Sequence, residues 1–223
     1  LEQVKDDLKK EGVDLEIKIF DDYVLPNRLL GEKTLDANYF QHVPYMEEFA
    51  QKNNMELVAV AKIHVEPLAV YSKSVKDLSE LPEGADVLIP NDPTNRGRAL
   101  ILLDKSGIIK LKDNQKLDST IEDIAENPKK LKVTALNADQ IPTRLGEVGA
   151  AVINGNFAMK NNLNPLTDSI FIEDKDSPYA NVITVLKGNE NDERVQKLVK
   201  ALQSEKIKKF IEEKYQGSVV PAF

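Results

Sequence analysis

The sequence predicts an α/β protein, and three observations carry that prediction. Amphipathic helical patterns alternate with short apolar, strand-like runs along the whole chain. Hydrophobic residues make up 41% and charged residues 30% of the 223 positions, a balance that suits a polar surface around an apolar interior. No run approaches the roughly 20 apolar residues of a membrane span. The length suffices for two compact lobes or for one large domain.

Taken in order, Leu1–Glu11 reads as an amphipathic helix closed by Gly12. Domains of this class often open on a strand, so a further segment is expected ahead of Leu1. Val13–Phe20 alternates apolar and charged residues as a strand does, and the loop DDYVLPN follows. Pro44–Lys52 is helical, with Pro44 near its first position. Leu57–Ile63, Leu68–Tyr71 and Asp86–Ile89 read as strands, and the polar turn NDPTN then opens a strongly apolar helix. Ser119–Glu126 is predicted as a short helix stopped by Asn127-Pro128, Leu131–Leu136 as a strand and Ala138–Leu145 as a helix. Ala150–Ile153 is a fully apolar strand and Val182–Leu186 a further one. Two helices, Asp192–Gln203 and Glu205–Tyr215, close the chain, with Val195, Leu198, Val199 and Leu202 at helical spacing. Residues 84–176 contain their own strand–helix–strand–helix–strand set. They are predicted as a middle lobe inserted between residues 1–83 and 177–223, which pack together as the other. A cleft between two such lobes is the expected home of a small ligand.

Composition excludes several function classes. The net charge is −7 and basic residues are interleaved with acidic ones, so nucleic acid is not an expected partner. The absence of cysteine excludes disulfides, thiolate catalysis and cysteine-held zinc. His42 and His64 are the only histidines and lie apart in sequence, which argues against a histidine-rich metal site. The G-x-S-x-G, G-x-x-x-x-G-K-[ST], G-x-G-x-x-G and H-E-x-x-H patterns are all missing. Acidic pairs such as Asp21-Asp22 and Glu47-Glu48 read as solvated surface rather than as an acid–base couple. The residues favour a binding protein over an enzyme and call for no cofactor and no metal.

Four places carry candidate binding chemistry. In IPNDPTNRGRALILLDKSG (Ile89–Gly107), Arg98 is expected in the first turn of the apolar helix, where orphan N–H groups already make the end positive. An arginine there makes a receptor for a small carboxylate or phosphate; the other reading is a solvated, outward-pointing side chain. LDANYFQHVPY (Leu35–Tyr45) gathers Tyr39, Phe40, His42 and Tyr45 in a chain that is only 6% aromatic, as an apolar box or as ordinary core and turn residues. AAVINGNF (Ala150–Phe157) ends a buried strand on Asn154 and Asn156, which face either a ligand crevice or a simple turn. In DSPYANVITV (Asp176–Val185), Asn181 enters a strand that otherwise wants apolar residues, so its amide needs a partner in backbone or ligand.

These segments, together with IEDIAENPKKLKV and the terminal GSVVPAF, occur in an order and spacing that resemble the NlpA lipoprotein family. The similarity runs from about Leu1 to Phe223, and NDPTNxGRAL and SPYxN are its most specific motifs. Members are the methionine-binding, substrate-capturing components of ABC importers. The resemblance implies a two-lobed type II periplasmic-binding-protein fold, each lobe a mixed sheet flanked by helices, closing on ligand in the interlobe cleft. It further implies a monomer that serves an importer's permease and ATPase subunits. The protein would be extracytoplasmic and held at the cell membrane by a lipid on an N-terminal cysteine, cysteine and leader both lying outside this chain.

Carried over by position, the resemblance makes Arg98 the bidentate partner of an α-carboxylate. Asn181 and Asn154, with Asn156 as second choice for the latter, would satisfy the ammonium group and the remaining carboxylate lone pair. Tyr23, Phe40 and Tyr45 would wall the thioether, with His42 on the same wall. Arg98→Ala is expected to abolish methionine binding with little loss of stability. The ligand is L-methionine or a close relative: D-methionine, a derivative, or a dipeptide such as glycyl-methionine. Rival readings are a small-molecule enzyme on a similar scaffold and an adhesin that uses the fold as a platform.

Overall fold

A computed structural model describes residues 1–174 and 177–223. The chain divides into two units, one made of Leu1–Val65 with Pro178–Phe223 and the other of Glu66–Ser177. The elements in chain order are α1 (Lys5–Lys10), α2 (Leu25–Gly31), β1 (Asn38–His42), α3 (Val43–Asn53), β2 (Leu57–Val65), β3 (Ala69–Tyr71), β4 (Asp86–Pro90) and α4 (Pro93–Lys105). They continue with β5 (Lys110–Leu111), β6 (Ile124–Glu126), β7 (Lys132–Leu136), β8 (Ala150–Ile153), α5 (Gly155–Lys160), β9 (Ser169–Ile172), β10 (Ala180–Leu186), α6 (Glu193–Leu202), α7 (Glu205–Tyr215) and β11 (Val220–Pro221).

The first unit is built on an antiparallel sheet in the order β1-β10-β2-β11. Strand β10, one of the two inner strands, buries Val182, Ile183 and Val185 together with the polar Thr184. His42 ends β1 and caps α3: its backbone is extended and its Nδ1 accepts the Tyr45 N–H at 3.2 Å. Pro44 at the start needs no donor of its own, and α3 then buries Tyr45, Met46 and Phe49 along one face. Asp192 and Ser204 cap α6 and α7, which bury Val195, Leu198, Leu202, Ile207 and Ile211.

The second unit holds a mixed sheet in the order β7-β4-β8-β3-β9. β4 runs parallel to β7 and β8, whereas β3 is antiparallel to β8 and β9. Val87, Ile89, Leu100, Leu103, Ala150 and Val152 lie at the centre of its apolar core. At Gly97 on α4, a Cβ would fall 1.9 Å from the Leu117 carbonyl oxygen, so only glycine lets that segment cross the helix.

Several elements differ from expectation. Val13–Phe20 alternates in exposure only as far as Lys18, Ile19 being exposed, and it joins no strand ladder among the described residues, since a period of two reports facing, not pairing. Within Ser119–Glu126, Asp123 closes on the Thr120 N–H at 2.8 Å after one turn, and Ile124 then pairs with Leu111 in β6. The helix expected at Ala138–Leu145 is a 3₁₀ segment, Pro142–Glu147, because Pro142 cannot continue an α-helix from Ile141. The first division between units falls at Val65/Glu66 rather than at 83/84, because β3 pairs with β8 and β9. The second falls at Ser177/Pro178, while Lys175 and Asp176, where the expected middle lobe ends and the segment DSPYANVITV begins, lie outside the described residues.

Candidate functional site

In the first unit, the three rings named for a ligand wall do meet. Tyr23 lies 6.0 Å from Phe40 and 5.9 Å from Tyr45, and Phe40 lies 6.0 Å from Tyr45, with tilted or edge-on geometry throughout. The Tyr45 hydroxyl donates to the Tyr23 carbonyl at 2.8 Å, which ties the loop before α2 to α3. His42 sits edge-on to Tyr45 at 6.3 Å and to Tyr179 at 5.0 Å. Asn181 is the register partner of His42 across β1 and β10 and is half-buried. Tyr179, buried beside His42, was not among the sequence candidates, although it is the aromatic residue of the SPYAN motif.

A backbone irregularity aims this wall. Tyr39 pairs with Ile183 and Gln41 with Val182, so Phe40 is an extra residue in a β-bulge. A fully buried set of amides holds the bulge in place. Asn27 and Gln41 exchange two hydrogen bonds of 2.8 Å, Asn38 donates to Asn27 at 2.8 Å, and Gln41 also reaches Thr184 at 3.3 Å. Polar side chains removed from water persist only when satisfied in this way. Tyr39, the fourth ring of the segment, turns to His64 and bonds its Nδ1.

In the second unit, candidate groups gather where β4 and β8 end and α4 and α5 begin. Asp92 caps α4 by accepting the Asn95 N–H at 2.9 Å. Asn154 stands at the N-cap position of α5 but makes no capping bond; its amide donates instead to the Asn95 side chain at 2.9 Å. The Asn154 Oδ1 is buried and meets no donor among the described residues. Such an acceptor loses its hydration without compensation unless a ligand supplies a donor. Asn156 follows on α5, half-buried. Gly155 carries no side chain because a Cβ there would meet the Glu66 Cβ at 2.8 Å.

Arg98 differs from its expected setting in two ways. α4 starts at Pro93, so Arg98 lies in the second turn, and Arg96 takes the place nearer the helix start and bonds the Ser119 carbonyl at 3.2 Å. Arg98 is 4% exposed, which removes the solvated reading. Its Nε donates to Glu173 Oε1 at 3.0 Å and its Nη2 makes a short contact with Glu173 Oε2 and a 3.0 Å bond to the Glu66 carbonyl. One fork of the guanidinium is therefore filled by a carboxylate of the chain itself. Neither Glu66 nor Glu173 was a sequence candidate; Glu173 reaches Arg98 across 75 positions, a pairing that no local pattern reveals.

Among the described residues, no group of three His, Asp or Glu side chains is placed to hold a metal ion. No helix among them is long and apolar enough to cross a membrane.

A family model described as NlpA lipoprotein matches residues 1–223. The chain belongs to the NlpA lipoprotein family. The chain is 46% identical over 214 residues to the D-methionine-binding lipoprotein MetQ of Salmonella typhi, covering 95% of this chain and 79% of that one. It is similar in structure to a nutrient binding protein from Burkholderia cenocepacia bound to methionine, with a TM-score of 0.95 and 44% identity over 99% of this chain and 94% of that one. An ABC transporter, periplasmic substrate-binding protein from Coxiella burnetii matches at a TM-score of 0.93 and 39% identity over 99% and 92%. The α/β architecture expected from the residues is the architecture this family member has, although the mixed sheet expected in each lobe is found in the second unit and the described sheet of the first is antiparallel.

Proposed function

We propose that this NlpA lipoprotein is a solute-binding protein that captures methionine and delivers it to the permease and ATPase subunits of an ABC importer. It acts outside the cytoplasm, as a monomer anchored to the membrane by a lipid, and it binds its solute without turning it over. The observation that carries this reading is the match to a methionine-bound relative along nearly the whole chain. The chemistry of both clusters agrees. Tyr23, Phe40 and Tyr45 are aromatic neighbours suited to a polarisable thioether, with His42 and Asn181 beside them. Arg98 has the chemistry for an α-carboxylate, and the unpartnered Asn154 oxygen, with Asn156 next along, has the chemistry for an ammonium donor.

Mass spectrometry of small molecules released from the denatured protein tests the proposal. Methionine released intact supports it and a methionine dipeptide redirects it within the same class. A chemically altered product on incubation with methionine would instead point to an enzyme.

A further inference from the structure

The ion pair between Arg98 and Glu173 is almost wholly out of water, with side chains 5% and 9% exposed. Glu173 is fixed independently of Arg98: its Oε2 accepts the Leu68 N–H at 3.2 Å, and its own N–H donates to the Leu68 carbonyl at 2.9 Å. The guanidinium's charge is thus balanced before any ligand arrives. Two further groups at this end of the sheet add an acceptor and an anion. Asn154 Oδ1 is buried without a donor among the described residues, and Glu66 packs over Gly155, where its Oε2 would lie 3.3 Å from a Cβ. A ligand carrying only a carboxylate brings a second anion to a cation already neutralised, in surroundings where charges are weakly screened. A zwitterion brings its own compensating ammonium group and donors for the empty acceptor.

We propose that Glu173 is a specificity-determining residue: by neutralising Arg98 it makes the second unit's polar cluster accept a zwitterionic amino acid and reject a simple carboxylate anion. This rests on the reading of methionine as ligand and of Arg98 as its carboxylate partner.

Calorimetric titration of the unchanged protein and of Glu173→Gln tests it, with L-methionine and its des-amino analogue 4-(methylsulfanyl)butanoate as ligands. The unchanged protein should prefer methionine by about a hundredfold or more, and the Gln variant should narrow that preference by at least about tenfold by gaining affinity for the analogue. If both affinities fall together and their ratio holds, Glu173 is only a strut and the inference is wrong. Should the Gln variant fail to fold, Glu173→Asp keeps the charge and must keep the preference for methionine; a narrowed preference there also overturns the inference. If the unchanged protein binds no methionine, the functional reading itself fails, an outcome distinct from a preserved ratio.

Discussion

Asn27 and Gln41 bond each other reciprocally, each side-chain amide donating to the other's oxygen at 2.8 Å, in an environment where both are out of contact with water. Gln41 follows Phe40, the extra residue of the β1 bulge, so the pair anchors the chain where the bulge ends.

Gln41→Leu should therefore cost about 2–4 kcal/mol, because it takes from the buried Asn27 Nδ2 and Asn38 Oδ1 the partners that Gln41 supplies. Urea denaturation measures this directly. A loss below about 0.5 kcal/mol would show that the network contributes no more than a surface substitution does.

Phe40→Ala opens the ring cluster formed with Tyr23 and Tyr45. Methionine affinity should fall by about tenfold or more while binding of alanine or glycine changes little, since only methionine has a side chain to lose contact with. Equal losses for all three ligands would remove the aromatic wall from the account.

Tyr71 in β3 is 1% exposed and its hydroxyl has no hydrogen-bond partner among the described residues, and burial, helped by the charge of Asp168, raises its pKa well above the ordinary phenol value. Tyr71→Phe deletes an unsatisfied buried group and should be neutral or stabilising by up to about 1 kcal/mol at neutral pH. The phenol ionises in the unfolded chain near pH ~10 but resists ionisation in the folded one, so its contribution is intact below that pH and is lost as pH rises beyond it. Stability measured between neutral and strongly alkaline pH should fall more steeply for the unchanged protein than for the Phe variant. Parallel curves would contradict the assignment.

Much of the fold is legible locally, because the signals are local. His42 followed by Pro44 marks the start of α3, and the unbroken apolar run Ala150–Ile153 marks an inner strand. The failures share a cause. Val13–Phe20 has the alternation of a strand, yet whether a strand finds a partner depends on distant chain. The setting of Arg98 is decided by Glu173 and by the Glu66 carbonyl, both remote in sequence. Phe40, His42 and Tyr45 could be found because they crowd with Tyr39 into Leu35–Tyr45, whereas a single buried glutamate among thirty-seven acidic residues carries no such signal.

That pairing also changes what an Arg98 variant means. Removing the side chain would strand the Glu173 carboxylate in a buried place at a cost of about 3–5 kcal/mol, so Arg98→Ala is not expected to spare stability. Arg98→Lys is the better probe, since it keeps a cation beside Glu173 and removes the planar fork. The decisive measurement is calorimetric titration of L-methionine into the unchanged protein and into Arg98→Lys. Saturable one-to-one binding by the former, weakened about a hundredfold or more in the latter, is the expected result. No binding by the unchanged protein, or equal affinity in the two, would contradict it.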